Sequence, residues 1–168
     1  MSVFKIAGVI RESIVDGPGI RYVVFTQGCP HRCEGCQNPQ TWSFEDGKVT
    51  TTDKIISDIG SNPLLSGVTL SGGEPFCQPV AMAELAKRCH ERGLNVIVYT
   101  GYLFEELIEQ SKTQPEIREL LNETDVLVDG PFITALKSYE LKFMGSSNQR
   151  ALDVKKSLEQ GKPVIAWI

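Results

Sequence analysis

The chain has 168 residues, with 17 Lys and Arg against 21 Asp and Glu and a formal charge of −4. That length is enough for one domain with a real core, and the mild acidity speaks against nucleic acid or an anionic membrane as the main partner. The N-terminal stretch lacks a basic leader, and no segment is apolar over the width of a bilayer. The expectation is a cytoplasmic protein, one domain over residues 1–168, in a compartment where thiols stay reduced.

Residues 3–10 read as a strand, followed by an irregular excursion built on Asp16, Gly17, Pro18 and Gly19. Residues 22–27 form a second, β-branched strand that runs straight into Gly28-Cys29-Pro30-His31-Arg32-Cys33-Glu34-Gly35-Cys36. Residues 41–50 are polar, with Asp46-Gly47 as a turn. A helix capped at Thr52 or Asp53 turns Ile55, Ile56 and Ile59 inward and stops at Gly60-Ser61-Asn62-Pro63. Residues 68–70 are a short strand that enters Ser71-Gly72-Gly73-Glu74-Pro75. The helix over 79–92 places Met82, Leu85 and Cys89 on one face and Glu84 and Arg88 at i,i+4 spacing, with Gly93 as its stop. A strand over 94–99, a helix over 103–111 and a helix from Pro115 with Ile117, Leu120 and Leu121 inward come next. Residues 126–128 are a strand leading into Asp129-Gly130-Pro131-Phe132. A loop over 144–150, a helix over 153–160 and a last strand over 163–168 complete the chain.

Strand and helix alternate about four times after an extra N-terminal strand, which implies a parallel sheet with right-handed crossovers. A closed eightfold barrel needs more than 200 residues. The predicted fold is therefore α/β, an open partial (β/α) barrel whose curved, mostly parallel sheet carries its helices on the outer face. The splayed side should admit something large.

Three of the five cysteines, Cys29, Cys33 and Cys36, are spaced C-x3-C-x2-C. Iron–sulfur cubes normally take four cysteines, so three would leave one iron open for chemistry. A buried helical stripe would share this spacing, but Gly28, Pro30, Gly35 and Pro39 break any helix. A Cys3His zinc site completed by His31 is the structural alternative, and a disulfide would leave an odd thiol. The other strand-end loops converge on the same sheet edge. Gly72 and Gly73 would let a ligand approach the backbone, and Glu74, Thr100 and Asp129 bring polar and acidic groups suited to an ammonium or sulfonium ligand.

The cysteine motif after one strand, followed by Gly72-Gly73-Glu74-Pro75 after the next, resembles the radical S-adenosylmethionine superfamily. That resemblance implies a [4Fe–4S] cluster on Cys29, Cys33 and Cys36, and S-adenosylmethionine on the fourth iron. It also implies cofactor contacts from Gly35, Gly72, Gly73, Glu74, Thr100 and Asp129. Asp16-Gly17-Pro18-Gly19-Ile20-Arg21 and Cys36-Gln37-Asn38-Pro39-Gln40-Thr41-Trp42 are similar to the activases of glycyl radical enzymes. Tyr99-Thr100-Gly101-Tyr102, Val128-Asp129-Gly130-Pro131-Phe132 and Gly145-Ser146-Ser147-Asn148-Gln149-Arg150 resemble the branch that acts on anaerobic ribonucleoside-triphosphate reductase. The implied partners are the large catalytic subunit of that reductase, as protein substrate, and a flavodoxin- or ferredoxin-type electron donor. Activases of pyruvate formate-lyase resemble the chain too, but carry Asp-x-Lys where this one has Asp129-Gly130-Pro131.

Among the remaining candidates, Cys77 reads as a packed thiol, Cys89 as core, Trp42 as packing, and His31 and His90 as solvent-facing. Asp16 and Arg21 are expected to shape the site, to meet the partner, or to form an ion pair that stabilises their loop. The polar stretch 145–150 is expected to be exposed and to help dock the partner.

Overall fold

The computed structural model describes residues 1–166. Seven strands form one sheet: β1 (Val3–Ser13), β2 (Arg21–Thr26), β3 (Lys48–Thr51), β4 (Gly67–Gly72), β5 (Asn95–Tyr99), β6 (Val126–Asp129) and β7 (Arg150–Asp153), in the order β3-β1-β2-β4-β5-β6-β7. β2, β4, β5 and β6 pair in parallel, while β1 and β7 run against their neighbours. The edge strands β3 and β7 do not pair, so the sheet is an open partial barrel, as the alternation predicts.

Five α-helices stand among the described residues: α1 (Thr52–Gly60), α2 (Pro79–Glu91), α3 (Phe104–Ser111), α4 (Pro115–Asn122) and α5 (Val154–Gln160). Their ends follow from local chemistry. The Thr51 side chain accepts from the Lys54 amide at the start of α1, and Asp153 does the same for α5. Pro79 and Pro115 open α2 and α4, and Gly93, at φ +76, takes the left-handed turn beyond α2.

Period-2 alternation divides the sheet residues between two faces. Tyr22, Val24, Val68, Leu70, Val96, Val98, Leu127 and Leu152 pack with the helices, where Ile56, Met82, Leu85, Leu107, Leu120 and Leu121 are fully buried. Ile97, Val128 and Ala151 form a second, smaller cluster on the opposite face, to which none of these five helices contributes a residue. No helix among the described residues is long and apolar enough to cross a membrane.

Several expectations require correction. Lys48–Thr51 is a strand, in a region that the sequence marks only as polar with a turn at Asp46-Gly47. Its only sheet neighbour is β1, and a polar edge strand with Thr50 as its single buried residue carries almost no apolar alternation. The helix cap is Thr51, one residue earlier than predicted. Arg150–Asp153 is also a strand, too short to declare itself without β6 beside it. Within the predicted last strand, the described residues make only an antiparallel bridge, Ile165 to Leu152, and Trp167 and Ile168 lie outside the described residues. Glu84 and Arg88 do not pair. Glu84 accepts from the Thr52 hydroxyl and Arg88 donates to Asp53, so both tie α2 to the start of α1.

Candidate active site

The loops that follow β2, β4, β5 and β6 meet at one edge of the sheet. Three residues of the cysteine loop are left-handed, Gly28 at φ +106, Arg32 at +49 and Gly35 at +75, so the backbone reverses sharply between the thiols. Gly28 and Cys29 donate to the carbonyls of Thr41 and Trp42 at 2.7 and 3.1 Å, which ties the loop to its own exit. Gly73 and Glu74 donate to the carbonyls of Thr26 and Gly28 at 2.9 and 2.8 Å, which ties it to the loop after β4. A Cβ on Gly73 would stand 2.5 Å from the Gly28 carbonyl oxygen, and one on Gly72 would strike the Thr26 backbone. The glycine pair is therefore demanded by backbone packed against backbone. Gly35 is closed in similarly, since its Cβ would lie 2.6 Å from Oγ1 of Thr134, which donates to the Glu34 carbonyl.

Beside these loops, on the helix-free face, lies a cavity of about 670 Å³ lined by Asp16, Phe25, Cys36, Gly72, Tyr99 and Phe132 among others. That volume lies within the range of small-molecule sites. Cys29, Cys33 and Cys36 are free and half-buried. Burial pushes the Cys29 thiol up to about 11, against the pull of the His31 and Arg32 amides that face it, and Glu74 adds to the rise. Among the described residues no three His, Cys, Asp or Glu side chains stand ready-gathered around a point. The fit to an iron–sulfur cluster comes from the donor set: three soft thiols on one tightly turned loop, one of them in the cavity wall.

Glu74 is buried, and its carboxylate is fully engaged. Oε1 meets His31 Nε2 at 2.6 Å, the Thr100 hydroxyl at 2.8 Å and the Gly101 amide at 2.9 Å, while Oε2 accepts from the Phe76 amide at 3.0 Å. Thr100 is thus turned to Glu74, and its oxygen also accepts from the Tyr102 amide. His31 is not solvent-facing: its side chain is 16% exposed, and its ring stands edge-on to Tyr102. Its Nε2 is held by Glu74, which takes that nitrogen away from any zinc.

Asp129 is equally occupied. It caps α3 through the Phe104 amide and accepts from Nε and Nη2 of Arg150, which also reaches Glu105. The stretch 145–150 is a clasp and not the expected exposed loop, with only Ser147 fully exposed. Asn148 donates to the Pro131 carbonyl, and Gln149 donates to the Gly130 carbonyl while accepting from the Gly145 and Ser146 amides.

Asp16 and Arg21 make no ion pair among the described residues. Arg21 is wholly buried and donates to Thr69 Oγ1 and to the carbonyls of Pro18, Val68 and Asn95, and burial lowers its pKa to about 10. Asp16 accepts from Ser13 and faces the cavity. Cys89 is core, and Cys77 is half-buried, its thiol pushed up to about 12 by burial with Glu74 and Cys29 adding. Trp42 stacks under Arg32, and His90 is held between Glu123 and Asp125 rather than exposed. Sequence reasoning missed the aromatic lining, Phe25 and Tyr99. The signal was present, because each occupies the alternate position to the core residues of its strand.

Residues 15–152 match a family described as a 4Fe-4S single cluster domain. The chain is similar to the anaerobic ribonucleoside-triphosphate reductase-activating proteins of Salmonella typhimurium and of Escherichia coli K12. The identities are 40% and 38% over 145 residues, spanning 81% of this chain and 90% of each relative. It is also 39% identical over 104 residues to the pyruvate formate-lyase-activating enzyme of Clostridium pasteurianum, a stretch covering 58% of this chain and 44% of that one. These matches give the zinc alternative no support.

Proposed function

The chain belongs to the anaerobic ribonucleoside-triphosphate reductase-activating proteins, and from that premise we propose that it installs a glycyl radical on such a reductase. Cys29, Cys33 and Cys36 hold a [4Fe–4S] cluster, and the neighbouring cavity takes S-adenosylmethionine. Bound there, the cluster and S-adenosylmethionine would supply one-electron reductive cleavage of the sulfonium C–S bond and hydrogen-atom abstraction from a glycine Cα.

The observation that carries this reading is the placement of Cys36 in the wall of the 670 Å³ cavity that Gly72 also lines. The backbone of Gly35, Gly72 and Gly73 offers polar groups to the methionyl end. Glu74, Thr100 and Asp129 support it from behind, since their side chains are spent on holding loops together. Asp16 and Tyr99 add polar atoms on the inner face, and Phe25 and Phe132 exclude water. No acid–base pair is required of the chain, whose task is positioning. The substrate glycine enters from the side of the sheet that no helix covers. A small reduced flavoprotein or iron–sulfur protein supplies the electron, and the whole chain acts as one cytoplasmic domain.

The test is anaerobic reconstitution with iron and sulfide, followed by dithionite, S-adenosylmethionine and the reductase. Free 5′-deoxyadenosine and a glycyl radical signal on the reductase are expected, with both abolished by Cys36→Ala. An iron-replete protein that yields neither would overturn the reading. The similarity to the clostridial enzyme supports a second target, and a radical formed on pyruvate formate-lyase instead would establish it.

A further inference from the structure

Tyr99-Thr100-Gly101-Tyr102 stood out in the sequence, yet only Tyr99 lines the cavity. The other three residues converge on His31. The Gly101 amide and the Thr100 hydroxyl share Glu74 Oε1 with the imidazole, and the Tyr102 ring meets it edge-on at 4.5 Å between centroids and 76° between planes. Gly101 is the most telling of them. Its φ lies outside the left-handed region, so the backbone does not require glycine there. The three atoms nearest to a Cβ built on it all belong to the His31 ring, at 2.5, 2.8 and 2.8 Å. The missing side chain is space kept for the imidazole.

We propose that Glu74, Thr100, Gly101 and Tyr102 form a socket that latches His31, pinning the cysteine loop between its first two thiols onto the end of β5. His31 is a positioning residue in this scheme. Across residues 30–33 its side chain supplies the hydrogen bond from the loop to the body of the protein, with the stacking of Arg32 on Trp42 as the one other tie among the described residues. The socket spans two strand ends, because Glu74 follows β4 and Thr100 follows β5, so the loop after β2 is held across three neighbouring strands. Removing groups that orient metal ligands directly typically costs about 10–100-fold in metal affinity, and His31 acts one step further out, through the loop that carries the thiols.

The inference rests on the assignment of Cys29, Cys33 and Cys36 to the cluster, so one of its readouts is independent of iron. His31→Ala, Gly101→Ala and the double variant are compared with wild type and with Gly8→Ala, a control at a glycine whose Cβ would meet nothing within 4 Å. In the full-length chain before reconstitution, trypsin cleavage after the exposed Arg32 should be about tenfold faster in both single variants, as local opening of the loop becomes easier. In the reconstituted protein, a ferrous chelator should strip iron faster by a similar factor. The double variant should be no faster than either single, because the alanine at 101 has nothing to displace once the imidazole is gone. Gly8→Ala should match wild type, and Gly101→Ala leaves the loop sequence intact should His31→Ala fail to fold. Wild-type rates in Gly101→Ala, or additive effects in the double variant, would overturn the latch. A wild type that holds iron and makes no 5′-deoxyadenosine would defeat the proposed function and leave the latch standing.

Discussion

His90 shows what a single side chain in this fold adds to stability. It sits at the end of α2 with Nδ1 3.0 Å from Glu123 and Nε2 2.7 Å from Asp125, whose carboxylate also receives the Val96 amide. Burial works to lower the imidazole pKa, but hydrogen bonds and charge from Asp125 and Glu123 outweigh it, and the net shift is upward. A pKa raised in the folded state stabilises the protein fully below the unfolded value, and that stabilisation fades as pH rises through the folded value. His90→Gln should therefore cost more stability at pH 6 than at pH 8.5, as read from denaturant midpoints at the two pH values. A constant difference would show that the imidazole acts only by packing. Arg21 makes a complementary point. Its guanidinium plugs the lower inner face of the sheet with four neutral oxygen acceptors, and a Cβ on Gly17 or Gly67 would lie 3.0 or 2.6 Å from its nitrogens. The Asp16-to-Arg21 motif thus has a structural reading that its residues could not disclose singly.

At the scale of elements, the most informative piece is β7. Four residues cannot hold themselves extended, and this strand is secured at its first residue, where Arg150 meets Asp129 at the end of β6. The same aspartate caps α3, so one carboxylate joins two strands and a helix. Asp129 is completely buried, and the Arg150 side chain is 29% exposed. Arg150→Met would leave a buried charge with one amide donor, at a cost of about 3 kcal/mol. The loss should appear as a lower midpoint in urea, and adding Asp129→Asn should restore part of it. An unchanged midpoint would mean that the pair contributes nothing net. Strand-end position marked Asp129 as a site residue, but its partner arrives from 21 positions along the chain. No local pattern announces such a pairing.

For the molecule as a whole, the decisive property is that its sheet has two unlike faces. One is packed against the helices, and the other is filled at its base by Ile97, Val128 and Ala151, with Tyr99, Val126 and Met144 packed against them and the Arg21 guanidinium buried beside them. The remaining inner surface is the cavity, whose rim carries Ile14 and Val15 at 74% and 72% exposure. Apolar side chains this exposed at the mouth of a site suit an incoming polypeptide. Val15→Glu is expected to lower radical yield on the reductase by about tenfold, equivalent to about 1.4 kcal/mol of docking energy, while leaving 5′-deoxyadenosine formation without the reductase unchanged. Equal losses in both assays would place Val15 in cofactor binding instead.

The alternation of strands and helices, the inward stripes of α1, α2 and α4, and the cysteine loop were all legible along the chain. They depend on neighbours within a few positions, where periodicity and turn chemistry operate. Tertiary structure alone decided what β3 and β7 would become, because a short polar strand takes its conformation from the strand beside it. It also decided the duties of His31, Glu74, Asp129 and the 145–150 clasp. Each of these residues satisfies a buried hydrogen-bonding demand created elsewhere in the chain, and such a demand arises only once the loops after four different strands have been brought to one edge.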